Sequence, residues 1–134
     1  MNKLIINTDG GARGNPGPAG LGVVFADERG EKIAVFKKYI GEATNNVAEY
    51  QALILALENL ESFQYQEIEC RLDSELVVKQ INGEYRVKDS TLKLLHARVK
   101  ALIFFKPIVF KHIRREQNKI ADQLVNEVID EAGF

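Results

Sequence analysis

Apolar residues alternate with polar ones in some stretches of the chain and recur every three or four residues in others. Alternation, or enrichment in β-branched residues, predicts five strands over residues 3–9, 20–26, 32–40, 67–72 and 108–113. Helical spacing, or a run of strong helix formers, predicts four helices over residues 47–63, 74–81, 90–102 and 119–132. The element order βββ-α-β-α-α-β-α therefore favours an α/β fold in which helices pack on both faces of a mixed sheet.

Turn-forming residues punctuate the first part of the chain. Asp9 is followed by two glycines, and the glycine- and proline-rich segment 13–18 is typical of a loop. The second and third predicted strands flank a short polar stretch, residues 27–31, which indicates an antiparallel hairpin. Because no repeat, linker or low-complexity segment interrupts the pattern, residues 1–134 are predicted to form a single domain.

Composition and charge narrow the function only slightly. Hydrophobic residues make up 46% and charged residues 28% of the chain, an ordinary balance for a soluble globular protein. The net charge of −1 excludes a general electropositive field, so any recognition of nucleic acid must be local. The apolar run at the N-terminus is far too short for a signal peptide or a membrane span, so a cytoplasmic location without membrane contact is expected.

The cysteine and histidine content excludes two further kinds of site. Cys70 is the only cysteine, so the chain forms no internal disulfide, and one cysteine with two unrelated histidines cannot build a zinc site. The position of Cys70 inside a predicted strand indicates a buried core residue. His96 lies beside the apolar face of a predicted helix, and a structural role is expected for it.

Two aspartates end predicted strands. Asp9 precedes a pair of glycines, a pattern that also suits an ordinary turn, and Asp73 precedes a helix that it could simply cap. In open α/β sheets, reactive groups collect at the carboxyl ends of parallel strands. The two aspartates would therefore share one sheet edge if the first and fourth strands are adjacent and parallel.

Two further carboxylates lie in the opening turns of predicted helices. Glu49 shares a helical face with apolar residues and is expected to face the sheet, although a capping box with Asn46 is the alternative. Asp122 lies one turn into the last helix, where a favourable interaction with the helix dipole would also explain it. Both helices could overhang the edge that carries the two aspartates.

Four clustered carboxylates would repel one another unless cations compensate their charge. A ligand set made only of oxygen atoms selects hard ions such as Mg²⁺ or Mn²⁺. Two such ions about 3.5–4 Å apart are a known arrangement for in-line cleavage of phosphodiesters. The candidate metal ligands and catalytic residues are therefore Asp9, Glu49, Asp73 and Asp122.

Four segments closely resemble the ribonuclease H type 1 family: TDGGARGNPGPAG at 8–20, TNNVAEY at 44–50, DS at 73–74 and NKIADQL at 118–124. The resemblance implies the ribonuclease H-like fold, a five-stranded mixed sheet whose strands 1–3 are antiparallel and whose strands 4 and 5 run parallel to strand 1. It also implies that two Mg²⁺ or Mn²⁺ ions are bound by Asp9, Glu49, Asp73 and Asp122. The implied activity is hydrolysis of the RNA strand of RNA–DNA hybrids, which leaves 5′-phosphate and 3′-hydroxyl ends.

Expected substrate contacts follow from the same resemblance. It places the backbone of the glycine loop and the side chains of Asn15 and Asn45 against the minor groove of a hybrid, where 2′-hydroxyls mark the RNA strand. An amide both donates to and accepts from a hydroxyl, which suits this role. Four further candidates, for which turn or cap chemistry is the alternative, are Gly10, Gly11, Asn46 and Ser74.

A titratable or cationic group is expected near the end of the last strand. His112 lies ten residues before Asp122, where the family that the chain resembles often has a histidine that assists proton transfer or product release. The flexible loop that carries such a histidine is replaced here by a short segment. Arg114 or Arg115 is therefore the alternative group to meet the phosphate.

Two departures from the family pattern lower the expected affinity for a nucleic-acid substrate. The lysine-rich helix and loop of the family's tight hybrid binders is reduced to residues 82–90, which contain only Arg86 and Lys88 as cations, so weak and salt-sensitive binding is expected. Glu75 stands where relatives often have a glutamine that faces the groove. The chain thus resembles a short form, without the basic protrusion or the N-terminal hybrid-binding domain, and a monomer is expected. Two alternatives stay open: the same chemistry on double-stranded RNA, and a nucleic-acid-binding module without turnover.

Overall fold

Five strands form one mixed sheet, and helices cover both of its faces. The computed structural model describes residues 2–134. The strands are β1 (Lys3–Ala12), β2 (Gly17–Ala26), β3 (Lys32–Ala43), β4 (Glu67–Leu72) and β5 (Ile108–His112). The helices are α1 (Asn45–Glu58), α2 (Glu75–Ile81), α3 (Ser90–Ile103) and α4 (Lys119–Glu131). The strand order is β3-β2-β1-β4-β5, with antiparallel pairing among the first three strands and with β4 and β5 parallel to β1, which confirms the predicted fold class.

Alternation along β2 separates two packing layers. Val23 and Phe25 join the buried core that the sheet forms with α1. Gly20 and Gly22 lie on the opposite face against α4, and a Cβ atom at Gly22 would come within 2.3 Å of the Ala121 carbonyl oxygen. The absence of side chains at these positions therefore lets α4 pack closely on the sheet, beside β2 and β1.

The strands β1 and β2 extend beyond their predicted ends. The sequence predicts ends at residues 9 and 20, whereas β1 runs to Ala12 and β2 begins at Gly17. Gly10 and Gly11 pair with β2 in antiparallel register instead of forming a turn. The prediction is wrong because glycine at this point serves close packing: a Cβ atom at Gly10 would lie 2.1 Å from the carbonyl oxygen of Ala48 in α1.

The helix α1 begins earlier than the sequence predicts, and its cap leaves Glu49 free for another role. The Oγ1 atom of Thr44 accepts a hydrogen bond from the Val47 backbone N–H (3.2 Å), so Thr44 is the N-cap. Since Asn46 lies inside the first turn, the alternative capping box of Asn46 with Glu49 does not form. The helix ends at residue 58 rather than 63, and a 3₁₀ turn over Leu60–Ser62 follows.

The smaller sequence-based expectations agree with the structure. Cys70 is fully buried in β4, as predicted. The Nε2 atom of His96 lies 3.1 Å from the carbonyl oxygen of Gln80, and its ring packs edge-on against Tyr50, which supports a structural role. Within residues 2–134, none of the helices combines the length and the hydropathy that a membrane crossing requires.

A buried glutamate on the α4 side of the sheet is surrounded by cations. Glu69 of β4 is 4% exposed, and its Oε1 atom lies 3.2 Å from the Nζ atoms of both Lys3 and Lys111. Arg71 donates a hydrogen bond to its other oxygen. Burial by itself raises the pKa of this carboxyl group, but the hydrogen bonds from the three cations outweigh that effect and lower the pKa to about 2. Because these cations come from β1, β4 and β5, Glu69 connects the three parallel strands.

We expect Glu69→Gln to lower the thermal stability of the protein at neutral pH and to have a smaller effect in acid. A lowered pKa means that the carboxylate stabilises the folded chain above the ordinary glutamate pKa of 4.5, and that this contribution is lost as the pH falls toward 2. Thermal melts between about pH 3 and pH 7 measure the difference. The control is Glu67→Gln, at the exposed start of the same strand, and an equal loss for Glu69→Gln at both ends of the pH range would contradict the expectation.

Candidate active site

The first two acidic residues meet at the edge where β1 and β4 part. The parallel register ends at the pair Thr8–Leu72, and Asp9 and Asp73 are the next residues along the two chains. The strands are therefore adjacent and parallel, which is the condition under which the two aspartates share one sheet edge. Ser74, rather than Asp73, caps α2 with its side chain, so the Asp73 carboxylate is not used as a helix cap.

Glu49 reaches the same edge from α1. Its Oε1 atom accepts a hydrogen bond from the Gly10 backbone N–H (3.1 Å), at the point where the missing side chain of Gly10 lets the helix approach. Glu49 and Asp9 are each only 7% exposed. One carboxylate oxygen from each of Asp9, Glu49 and Asp73 lies within 4.8 Å of the others.

Asp122 joins the cluster from α4. It lies half-buried in the first turn of that helix and lines the same cleft as the other three carboxylates. Its carboxyl group is close enough to Asp9 to contribute to the raised pKa of that residue. The structure thus brings together all four carboxylates that the sequence singles out.

Burial and mutual repulsion make the fully ionised cluster costly. Removal from water raises the pKa of Asp9, and the charges of Glu49 and Asp73 raise it further. Burial also raises the pKa of Glu49, with a contribution from Asp73. The neighbouring Asp9 carboxyl group, the hydrogen bond from the Gly10 backbone and the charge of Arg115 act in the opposite direction on Glu49. As a result, Asp9 and Glu49 stay protonated at pH values well above the ordinary pKa of a carboxyl group unless positive charge is added.

The donor set fits a hard divalent cation. The Oε2 atom of Glu49 is buried and accepts no hydrogen bond from any described residue. A buried polar atom without a partner is costly, and native proteins rarely keep one without a reason. Several carboxylate oxygens that face one another are the ligands preferred by Mg²⁺ and Mn²⁺, and a cation would supply both the missing partner and the missing positive charge.

A cleft of about 460 Å³ opens above the acidic cluster. Five of the six substrate-contact residues predicted from the sequence line it together with the carboxylates: Gly10, Gly11, Asn45, Asn46 and Ser74. Asn15 lines an adjoining cavity of about 390 Å³, which also includes Asn46. The two cavities therefore share Asn46, in the first turn of α1.

Amide side chains fasten the rim of the cleft. The Oδ1 atom of Asn45 accepts a hydrogen bond from the Ala12 backbone N–H (2.9 Å), and the Oδ1 atom of Asn15 accepts one from the Asn45 backbone N–H (3.0 Å). These bonds tie the loop after β1 to the start of α1. Both side chains are exposed and use their oxygen atoms here, so a ligand would meet their NH₂ groups.

The three residues considered for a phosphate contact lie in different places relative to the cleft. His112 is exposed at the end of β5, outside the cleft, and its Nδ1 atom lies 4.0 Å from Oε2 of Glu75. Arg115 lines the cleft, and its charge acts on Glu49, whereas Arg114 does not line it. A catalytic role of His112 stays a prediction.

Two residues that sequence reasoning left without a role help to build the site. Arg13, in the glycine loop, forms a 2.7 Å ion pair with Asp130 and donates to the Asn126 carbonyl oxygen (3.3 Å), which attaches the loop to α4. Asn118 donates to Asp73, although its position before α4 suggests an ordinary cap. An arginine among glycines and an asparagine before a helix were visible in the sequence, but exposed charge and capping explain such residues equally well.

The sheet order and the acidic cleft at the carboxyl edge of β1 and β4 define a protein of the ribonuclease H-like fold class. A family model described as Reverse transcriptase-like matches residues 7–128. The solved structure of a ribonuclease H1 isolated from compost by a metagenomic approach is 55% identical, with a TM-score of 0.94 over 98% of this chain and 99% of that chain. This chain belongs to the ribonuclease H type 1 family.

Two other relatives match this chain over part of a longer protein, and a third comparison is with a complex. A ribonuclease HI from Halobacterium salinarum is 43% identical over 125 residues, which covers 92% of this chain and 63% of that protein. A bifunctional protein from Mycobacterium tuberculosis is 42% identical over 133 residues, which is 98% of this chain but only 36% of that protein. The compost ribonuclease H1 has also been solved in complex with an RNA/DNA hybrid, and that structure is 52% identical, with a TM-score of 0.93 over 96% of this chain and 98% of that chain.

Proposed function

We propose that this chain is an endoribonuclease that hydrolyses the RNA strand of RNA–DNA hybrids, with two Mg²⁺ or Mn²⁺ ions as cofactors. The observation that carries the proposal is the convergence of Asp9, Glu49 and Asp73 within 4.8 Å at the base of an open cleft. The products would carry 5′-phosphate and 3′-hydroxyl ends. The complex of the related compost enzyme with a hybrid supports the choice of substrate.

The four carboxylates would hold the ions, and Asp9 is central to the set because it neighbours the other three. When bound, such a cation pair supplies Lewis-acid stabilisation for the attacking and the leaving oxygen of an in-line displacement at phosphorus. The burial of Asp9 and Glu49 reduces screening by water, which strengthens their interaction with any cation or phosphate in the cleft.

The rim of the cleft offers hydrogen-bond groups that suit a sugar–phosphate minor groove. The NH₂ groups of Asn15 and Asn45 would donate to 2′-hydroxyls of the RNA strand or to neighbouring bases. The N–H of Gly10 is already bonded to Glu49 and Gly11 pairs with β2, so these glycines would serve mainly by letting a substrate approach the backbone closely. Asn46 and Ser74 complete this contact surface.

Few cations are available to hold the phosphate backbone. The segment between α2 and α3 contains no helix of its own, and its cations are Arg86 and Lys88. Of the two arginines that line the cleft, Arg13 is engaged by Asp130, which leaves Arg115 as the candidate for a phosphate contact. Because phosphate contacts supply much of the affinity for nucleic acid, binding should be weak and should fall steeply with salt.

We expect Arg115→Ala to lower kcat/KM on a hybrid by roughly tenfold or more, since a hydrogen bond to a charged group contributes about 1.5–3 kcal/mol. His112→Ala is the matched comparison, because this side chain lies outside the cleft. Cleavage rates of both variants at a fixed, low salt concentration measure the difference. A large loss for His112→Ala beside an unchanged rate for Arg115→Ala would reverse the assignment.

The ends of the products test the proposed chemistry. The RNA strand of a hybrid, labelled at its 5′ end, is incubated with the protein in Mg²⁺, Mn²⁺ or EDTA, and the fragments are offered to a poly(A) polymerase, which extends only 3′-hydroxyl ends. Hydrolysis by the proposed route gives metal-dependent fragments that are extended. Fragments that form in EDTA and end in a 2′,3′-cyclic phosphate would contradict the proposal, because they require attack by the RNA's own 2′-hydroxyl.

A further inference from the structure

A buried amide lies behind the acidic cluster. Asn118 is 1% exposed, and it begins α4 with its backbone while its side chain makes no capping bond. Instead, its Nδ2 atom donates to the Thr8 carbonyl oxygen (2.8 Å) and to Oδ2 of Asp73 (3.1 Å). Both protons of the NH₂ group are therefore used inside the protein.

These bonds connect Asn118 to three of the four carboxylates. Thr8 directly precedes Asp9 in β1, and Asp73 is contacted itself. The backbone oxygen of Asn118 accepts a hydrogen bond from the Asp122 N–H (3.1 Å). One residue thus fixes the relative positions of β1, the end of β4 and the first turn of α4.

Asn7 determines which way the amide of Asn118 points. Its Nδ2 atom donates to Oδ1 of Asn118 (3.1 Å). An amide has one accepting end and one donating end, and only one of its two orientations directs the NH₂ group at Thr8 and Asp73. By donating to the accepting end, Asn7 stabilises that orientation.

Both amides act from outside the cleft. Asn7 and Asn118 line a groove of about 380 Å³ that is distinct from the acidic cleft, and neither lines the acidic cleft. Asn118 therefore meets the Asp73 carboxylate from the side away from a substrate. This geometry gives the pair a positioning role and leaves the reacting atoms to the carboxylates.

We propose that Asn7 and Asn118 form a positioning relay that holds Asp73 in the orientation required to bind a divalent cation. The inference rests on the proposed function, because it assumes that Asp73 is a metal ligand. Hydrogen-bonded partners of ligating carboxylates fix the direction of the ligand oxygens, and their loss typically lowers metal affinity or activity about 10–100-fold. In this chain the partner of Asp73 is itself oriented by a second amide.

The relay is tested by metal binding without nucleic acid. Free Mn²⁺ is measured by its electron paramagnetic resonance signal during titration of the wild type and of three variants, each checked for folding by circular dichroism. We expect Asn118→Ala to weaken Mn²⁺ binding roughly 10–100-fold, and Asn7→Ala to weaken it in the same direction by roughly tenfold or less. The control is Asn59→Ala, which removes a 2.8 Å amide bond to the Leu55 carbonyl oxygen at the far end of α1. It should bind Mn²⁺ as the wild type does.

The outcomes separate the relay from the proposed function. Wild-type Mn²⁺ affinity in folded Asn118→Ala and Asn7→Ala would overturn the relay alone. If Asn118→Ala fails to fold, the Asn7→Ala variant decides the question, because Asn7 is only half-buried. This variant keeps the Asn118 side chain, with its possible bonds to Thr8 and Asp73, and removes only the hydrogen bond that orients its amide. A wild-type protein that binds no Mn²⁺ would overturn the metal site and the relay together.

Discussion

Asp9→Asn should abolish cleavage of a hybrid and, in the absence of metal, raise the melting temperature. We expect kcat to fall by roughly a thousandfold or more, as it does when a central catalytic group is removed. The substitution keeps the shape of the side chain and removes the negative charge that lies next to the other three carboxylates. Cleavage rates in Mg²⁺ and thermal melts in EDTA measure the two effects on the same protein.

The gain in stability follows from the raised pKa values. Burial and repulsion disfavour the ionised forms of Asp9 and Glu49 in the folded state, so metal-free protein at neutral pH carries a cost that the unfolded chain does not. Asparagine removes part of that cost. A gain of about 1 kcal/mol corresponds to a rise in Tm of roughly 2–8 °C. Divalent cations should raise the Tm of the wild type and have much less effect on the variant.

The control for this experiment is Glu28→Gln, an exposed acidic residue in the turn between β2 and β3. It removes a negative charge far from the cluster and should change neither activity nor the response to metal. Two results would contradict the account of the site: wild-type cleavage by Asp9→Asn, or a lower Tm of Asp9→Asn than of the wild type in EDTA.

Gly10→Ala should strongly destabilise the fold, whereas Gly11→Ala should be nearly neutral. A Cβ atom at Gly10 would lie 2.1 Å from the Ala48 carbonyl oxygen and 2.6 Å from the Glu49 backbone nitrogen, so α1 would have to move away from β1. A Cβ atom at Gly11 would meet only a Val125 methyl group, at the ordinary distance of 3.7 Å. Forcing extra atoms into a packed interface costs about 1–3 kcal/mol of folding stability. The cost at Gly10 should lie at the upper end, because the added methyl group would meet backbone atoms of α1, which cannot rotate away as a side chain can.

Urea unfolding of the two glycine variants measures this difference, and the two adjacent residues control for each other. The shift of α1 also removes the hydrogen bond from Gly10 to Glu49, so Gly10→Ala should bind divalent cations more weakly. Equal stability of the two variants would show that the packing of α1 against Gly10 does not hold the site together.

The amphipathic pattern was sufficient to predict the elements, but not where the first two strands end. The bounds of β4 match the prediction at residues 67–72, because its polar and apolar residues alternate cleanly. In β1 and β2 the same sequence signal has two physical causes: glycine permits a turn, and glycine also permits two backbones to touch. Only the contacts of Gly10 with α1 and of Gly22 with α4 show that packing is the cause here.

The sequence was likewise sufficient to predict the acidic residues of the candidate site, but not the contacts around them. The four carboxylates could be found from the sequence because Asp9 and Asp73 come directly after the paired stretches of β1 and β4, and Glu49 and Asp122 lie near the starts of helices. The topology then brings these positions together. The hydrogen bond from Asn7 to Asn118 joins residues 111 positions apart. No local pattern encodes such a pair. The location of Arg115 inside the cleft and of His112 outside it likewise depends on the path of the chain after β5.

The most direct test of the account is cleavage of three duplexes of identical sequence, an RNA–DNA hybrid, a double-stranded RNA and a double-stranded DNA, with each strand labelled in turn. The wild-type protein is assayed with Mg²⁺, with Mn²⁺ and with EDTA. The proposed function predicts metal-dependent cutting of the RNA strand of the hybrid, with the DNA strand and the DNA duplex intact. Cutting of double-stranded RNA would revise the proposed substrate but not the proposed metal-dependent hydrolysis. A folded protein that cuts none of the duplexes in either metal would contradict the proposed nuclease activity and indicate a binding module without turnover.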